Sequence, residues 1–222
     1  MELFFDILRN IGIITGLPFD WIVFSKKYYY EDKSVQSRRI KGGALVISNH
    51  FNPFDYVANV FTVYPRKLYV VASEIAFQNK LITFGMRFWG GIQANRVTRS
   101  MRFVDESADV IKKGRVVQIF PEGHNTDDGT IKKFYPSYIA IALKAKAPII
   151  PIITDGNYGL FKRLHVIIGK PINVYDYLDS EEYTRQDIYR INDIVRNKVL
   201  DLRADLDRRM DEDGSKKGNN KK

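Results

Sequence analysis

From residue 41 onward the chain alternates short apolar, β-branched runs with longer stretches of helical periodicity, which predicts a mixed α/β domain. The runs Ala44–Ser48, Leu68–Ala72, Gly91–Asn95, Val116–Phe120, Ile149–Thr154 and His165–Gly169 are apolar enough to be buried on both faces. That pattern points to a largely parallel central sheet flanked by helices. Helices are predicted to begin near Pro53, Glu74, Ser100 and Pro136, with Asn52 and Ser100 as N-caps and Pro53 and Met101 in the first helical position. Between Glu181 and Met210, Ile188, Ile191, Val195, Val199, Leu202 and Leu206 recur at three- or four-residue spacing, an amphipathic helix expected to dock on its own domain. From Asp211 the polar tail is expected to be disordered.

Residues 1–39 follow another pattern. The best apolar run, 11–24, is 14 residues long and contains Pro18 and Asp20, whereas spanning a bilayer takes roughly 20 residues. A basic start and a small-residue cleavage site are both missing, so no secretory signal is predicted. The expectation is an N-terminal interfacial helical segment, with Leu3, Phe4, Phe5, Leu8, Ile11, Trp21, Ile22 and Phe24 at headgroup depth and Lys26 and Lys27 near anionic lipid. A helix packed on the domain itself is the alternative. The chain thus divides into a membrane-interacting segment (1–39), one domain that includes the amphipathic C-terminal helix (40–210) and a tail (211–222).

Composition narrows the chemistry. With no cysteine among 222 residues, thiol nucleophiles, thiolate metal sites and disulfides are excluded. The three histidines lie far apart and no metal-ligand spacing occurs, so no metal is predicted. The net charge is +9, and the excess lies in residues 1–175, with 24 Lys and Arg against 14 Asp and Glu. Such a field suits phospholipid surfaces, phosphorylated substrates, an acidic carrier protein or nucleic acid. The basic-aromatic stretch at 26–30 comes with no nucleic-acid motif, so nucleic acid is not expected as a partner.

Four segments carry candidate chemistry. In SNHFNPFD a strand ends in Asn49 and His50, then turns through Pro53 into a helix holding Asp55. A carboxylate bonded to one imidazole nitrogen fixes the tautomer and leaves the other nitrogen to take a proton from a hydroxyl. The plainer alternative is a turn histidine beside a first-turn carboxylate favoured by the helix dipole. VVQIFPEGHN delivers Glu122 and Gly123 to the same kind of strand end, glycine there permitting close backbone approach to a ligand. FWGGIQANR brings out Arg96, suited to a bidentate hold on phosphate or simply solvated. In APIIPIITDG, Pro151 interrupts an apolar strand and is expected at an edge, a bulge or a strand start. His124, beside Asp127 and Asp128, reads as a solvated loop residue, and His165 as the start of a strand.

In this order, SNHFNPFD, GGIQANR, IFPEG and APIIPI resemble the glycerolipid acyltransferase family, which includes the 1-acylglycerol-3-phosphate acyltransferases. The resemblance covers roughly residues 40–170. It implies that His50 is a general base oriented by Asp55, that Arg96, Glu122 and Gly123 bind the acceptor's glycerol phosphate, and that Pro151 lies toward the acyl side. It further implies transfer of a fatty acyl group from acyl-CoA or acyl carrier protein to a lysophospholipid at the cytoplasmic face of a membrane, with no other cofactor. There are two departures. The family follows FPEG with a small residue and an arginine and later has Phe-Lys, where this chain has His124-Asn125 and Phe134-Tyr135. Lys132 and Lys133 are candidate substitutes, because lysine binds phosphate as a point charge. No G-x-S-x-G elbow occurs, so the expected reaction is direct, without an acyl-enzyme. The rival reading is a non-enzymatic module that binds anionic membranes.

Overall fold

The computed structural model describes residues 2–95, 100–126, 129–180 and 182–219. Seven strands, β1 (Lys26–Tyr30), β2 (Ala44–Ile47), β3 (Leu68–Ser73), β4 (Gly91–Ala94), β5 (Val116–Ile119), β6 (Ile149–Thr154) and β7 (Leu164–Ile168), form one sheet in the order β1-β7-β6-β2-β5-β3-β4. Neighbours are parallel except β6 and β7, so β1 and β7 run against the other five. The helices are α1 (Glu2–Val23), α2 (Phe54–Thr62), α3 (Lys80–Phe88), α4 (Arg102–Lys112), α5 (Ser137–Ala145) and α6 (Arg185–Asn219).

The two-residue side-chain period of each strand builds two cores. Leu45, Ile47, Val117, Ile119, Ile149 and Ile153 face α4, α5 and α6, whose Ala108, Ile111, Tyr138, Ile139, Val195 and Val199 close over them. Ala44, Val46, Val116, Ile150 and Ile152 face the opposite side with Ile13 of α1 and Ala58 and Val60 of α2. Burial on both faces explains why β2, β5 and β6 read as continuous apolar runs.

All six predicted strands form, within a residue at each end. β1 was not anticipated: KKYYY alternates too little to mark a strand, and it is ordered by parallel pairing of Lys26–Tyr30 with Leu164–Ile168. The sheet therefore reaches into the segment 1–39. The helix expected near Glu74 is a single 3-10 turn, Glu74–Phe77, and α3 begins only after Asn79, whose side chain caps the Ile82 N–H. The break expected at Asp211 is absent; α6 continues to Asn219, and Asp213 accepts from Lys27 and from the Tyr29 hydroxyl (2.5 Å). Two N-terminal residues are also relocated. Phe24 is buried, and Lys26 lies buried in an ion pair with Asp20 rather than facing lipid.

Pro151 sits mid-strand in β6, a central strand, yet at a bulge. Ile149 bridges Ile172 while Ile152 pairs with Ile168, so two residues of β6 lie opposite three, 169–171, of the segment after β7. The missing N–H of Pro151 falls where the ladder is already broken, and its carbonyl still accepts from the Gly169 N–H at 2.9 Å.

Candidate active site

β2 and β6 are parallel neighbours, and their carboxyl ends are locked together just before the chemistry begins. The Asn49 amide donates to the Thr154 carbonyl (2.9 Å) and accepts from the Thr154 N–H (3.0 Å), while the Ser48 hydroxyl donates to the Ile152 carbonyl (2.5 Å). His50 follows this lock, at the sheet edge where open α/β folds place ligands.

The turn into α2 is organised around one carboxylate oxygen. Asp55 Oδ2 lies 2.9 Å from His50 Nδ1 and accepts the N–H groups of Phe51 (2.6 Å) and Asn52 (2.9 Å). Asn52, expected as the N-cap, lies one residue before the cap at Pro53 and closes the turn by accepting from the Phe54 N–H at 2.8 Å; Ser100 likewise precedes the cap of α4 at Met101. Asp55 is 2% exposed, whereas the His50 ring is partly open. With the carboxylate accepting, this geometry favours a proton on Nδ1 and leaves the Nε2 lone pair free. The ring stacks on Phe120 with centroids 3.9 Å apart and a 15° tilt, which fixes its plane.

Glu122 is fully buried. Its carboxylate accepts the His50 N–H (3.2 Å) and the Lys132 N–H (2.8 Å), joining the β2, β5 and 130–133 loops. Burial raises its pKa, against the opposing pull of those two donors and of His50. The His50 carbonyl accepts the Thr126 N–H at 2.8 Å. With the amides of residues 50, 51 and 52 all turned inward to carboxylates, none is available as an oxyanion donor. Gly123 adopts φ +72°, a conformation open to glycine, and its N–H closes a turn on the Phe120 carbonyl at 3.0 Å.

Beside Phe120 a largely apolar cavity of about 490 Å³ opens between the ends of β3, β4 and β5, bounded by Val71, Phe103, Ile119 and Phe120, with Ser73, Asn95, Gly123, His124 and Tyr135 as polar wall. Arg96 lies outside the described residues; its neighbour Asn95 reaches this wall. Thus His50, Asp55, Glu122 and Gly123 are brought together. Glu122 meets the protein's own backbone, which differs from a group presented to an acceptor. Phe134 is core, while Lys133 is exposed.

A second pair is marked by no sequence pattern. Asp155, at the end of β6, accepts the His165 N–H (3.0 Å) and lies 2.7 Å from His165 Nδ1. It is on the same sheet edge, beyond Gly156, whose missing side chain makes room for Phe51; a Cβ there would lie 2.7 Å from the ring.

Comparison with known proteins matches residues 26–155 to the family described as Acyltransferase. The 1-acyl-sn-glycerol-3-phosphate acyltransferase of Haemophilus influenzae is 23% identical over 212 residues, covering 89% of this chain and 85% of that one. The Bacillus subtilis protein of the same name is 23% identical over 171 residues, with 74% and 83% covered. A Caenorhabditis elegans relative, 25% identical over 177 residues, is longer, and the chain spans 61% of its length. Among solved structures, the LPA acyltransferase PlsC of Thermotoga maritima has the same fold, with a TM-score of 0.56 at 18% identity, covering 84% of this chain and 75% of that one.

Proposed function

The chain belongs to the acyltransferase family, and from that premise we propose that it transfers a fatty acyl group from an acyl thioester to the free hydroxyl of a lysophospholipid, foremost 1-acylglycerol-3-phosphate. The observation that carries this reading is the His50–Asp55 pair: a buried carboxylate 2.9 Å from Nδ1 of a part-exposed imidazole at a sheet edge. Nε2 takes the acceptor's hydroxyl proton as its oxygen attacks the thioester carbonyl. The tetrahedral intermediate collapses, and the thiolate leaves with the proton returned by the imidazolium. Asp55 holds the tautomer and stabilises the imidazolium between the two steps.

Glu122 is a positioning carboxylate in this scheme, holding the His50 backbone rather than the acceptor. Gly123 and Arg96 remain the groups proposed for the glycerol phosphate, and the acyl donor, acyl-CoA or acyl carrier protein, is a substrate and not a resident cofactor.

α1 supports action at a membrane surface. Its inner face carries Arg9 and Ile13, while Ile7, Ile11, Ile14, Ile22 and the 78% exposed Trp21 form an apolar stripe on the outer one. Among the described residues no helix is long and apolar enough to cross a bilayer. The proposed location is therefore peripheral or monotopic, at the cytoplasmic face of an anionic membrane.

The test is transfer of labelled acyl groups from acyl-CoA and from acyl carrier protein to a lysophospholipid panel on vesicles. Diacyl product with lysophosphatidate as the preferred acceptor supports the proposal. Product only with another headgroup corrects the acceptor, and no product with any pair overturns it in favour of a membrane-binding module.

A further inference from the structure

The connection between β6 and β7 leaves the sheet at the same edge as His50 and contains a four-residue turn, closed by the Lys162 N–H on the Gly159 carbonyl at 3.0 Å. The central positions of such a turn ordinarily hold glycine or polar residues. Here they hold Leu160 and Phe161, both exposed, Phe161 to 98%. Phe161 also adopts φ +64°, in the left-handed region that a turn gives to glycine or asparagine. An aromatic ring kept in solvent on a backbone that disfavours it gains nothing from the fold itself. Nor is the turn loose. The Gly159 N–H donates to the Val23 carbonyl (3.1 Å), the Asn157 amide donates to the Arg163 carbonyl (3.3 Å), and the Tyr158 ring meets Phe24 edge-on at 5.8 Å.

α1 brings further apolar surface to the same edge. Near its start, Asp6 pairs with Lys67 and Arg115, just ahead of β3 and β5, whereas Val23 at its end meets Gly159. The helix therefore runs along the sheet from the remote edge to the His50 edge, and its last turns expose Phe19, Trp21 and Ile22. The buried Phe24 ring joins these to the catalytic corner, with the rings of Phe19 and Phe54 at 6.3 and 6.4 Å. Phe54, exposed, directly precedes Asp55. Lys162 and Arg163, both exposed, follow the apolar tip of the turn. A tip of this kind backed by cations matches a surface with hydrocarbon inside and anionic groups at its rim. A soluble acidic carrier would answer the charges and leave Leu160 and Phe161 unburied.

We propose that the turn 159–162 is a lipid-insertion tip, which together with Phe19, Trp21, Ile22 and Phe54 forms one apolar rim that seats the His50 edge of the sheet on an anionic bilayer. The inference rests on the membrane location proposed above and deepens it, since it fixes which end of the molecule meets the lipid. An acceptor held in that bilayer then reaches His50 without leaving the surface.

The chain has no cysteine, so one introduced thiol carries a polarity-sensitive nitrobenzoxadiazole label at a single place. Labels at Phe161→Cys, at Trp21→Cys and, on the remote edge, at Lys113→Cys are compared on vesicles of phosphatidylcholine and phosphatidylglycerol. Leu160→Cys replaces Phe161→Cys if that protein does not fold. Emission at 161 and 21 should shift to the blue and be quenched by lipids brominated in their acyl chains, while the label at 113 stays in water. Entry of 21 without 161 overturns the proposal and leaves the membrane location standing; entry of neither overturns both. Equal entry of all three contradicts the orientation. A shift at 161 without vesicles, on concentrating the protein or adding acyl carrier protein, overturns the proposal in favour of a second copy or the carrier. Lys162→Gln/Arg163→Gln should weaken partitioning onto these vesicles at least about tenfold, and more than Lys112→Gln/Lys113→Gln does. Equal losses from the two double variants would overturn it as well.

Discussion

Asp55 Oδ2 receives three donors at once, the His50 ring and the amides of Phe51 and Asn52. Asp55→Asn keeps the volume but presents an amide that cannot serve all three, so the imidazole loses its enforced tautomer. The expected outcome is a fall in kcat of about 10²–10⁴-fold with little change in KM, read from steady-state transfer assays. Glu122 provides a pH test. Its pKa is raised by burial, so the folded state holds a proton that the unfolded state has already released. Its contribution to stability is full below the ordinary carboxylate pKa and is lost as pH rises through the raised value. Urea unfolding across the acid range should show wild-type stability falling more with rising pH than that of Glu122→Gln; parallel curves would contradict this. Much of this residue-level account was legible in advance. The five-residue spacing of His50 and Asp55 across a strand end and a helix start announced the pair, whereas the inward turn of Glu122 depended on the 130–133 loop folding back, which no local pattern records.

The elements owe their positions to contacts the sequence shows unevenly. The apolar runs of β2, β5 and β6 are buried on both faces and so are readable one strand at a time. β1 is legible only in its partner, since Lys26 and Lys27 are held by Asp20 and Asp213. For the same reason α6 outruns its apolar stripe, its last described ion pair being with β1 rather than with its own core. Val195 and Ile191 are fully buried where α6 meets the sheet. Val195→Ala should cost about 1–3 kcal/mol and Ile191→Ala about 2–5 kcal/mol in denaturant unfolding, without altering KM. At Gly156, φ is +69° and Phe51 occupies the space a side chain would need. Gly156→Ala should therefore displace the Phe51 turn and lower kcat more than it lowers stability, since misplacement by about 1 Å can cost up to about a hundredfold in rate.

At the scale of the whole molecule, a basic body and an apolar outer helix act together. In the proposed account the charge of +9 draws the protein to anionic lipid, and Ile7, Ile11, Ile14 and Trp21, exposed on α1, are the contact proposed for it. Trp21→Ala should reduce partitioning onto anionic vesicles about tenfold, a difference of about 1.4 kcal/mol. Raising the salt should weaken the remaining attraction as charges are screened. Sheet order was the feature least open to sequence reasoning: β7 reverses beside β6 and β1 pairs across the whole chain, both fixed by tertiary packing. The central claim is that His50 takes the acceptor's hydroxyl proton, and its most direct test is single-turnover transfer from acyl-CoA to lysophosphatidate by wild type and His50→Ala. The account predicts diacyl product from wild type and a rate reduced by about a thousandfold or more in the variant, with lysolipid binding retained. A His50→Ala protein that turns over at the wild-type rate would contradict it.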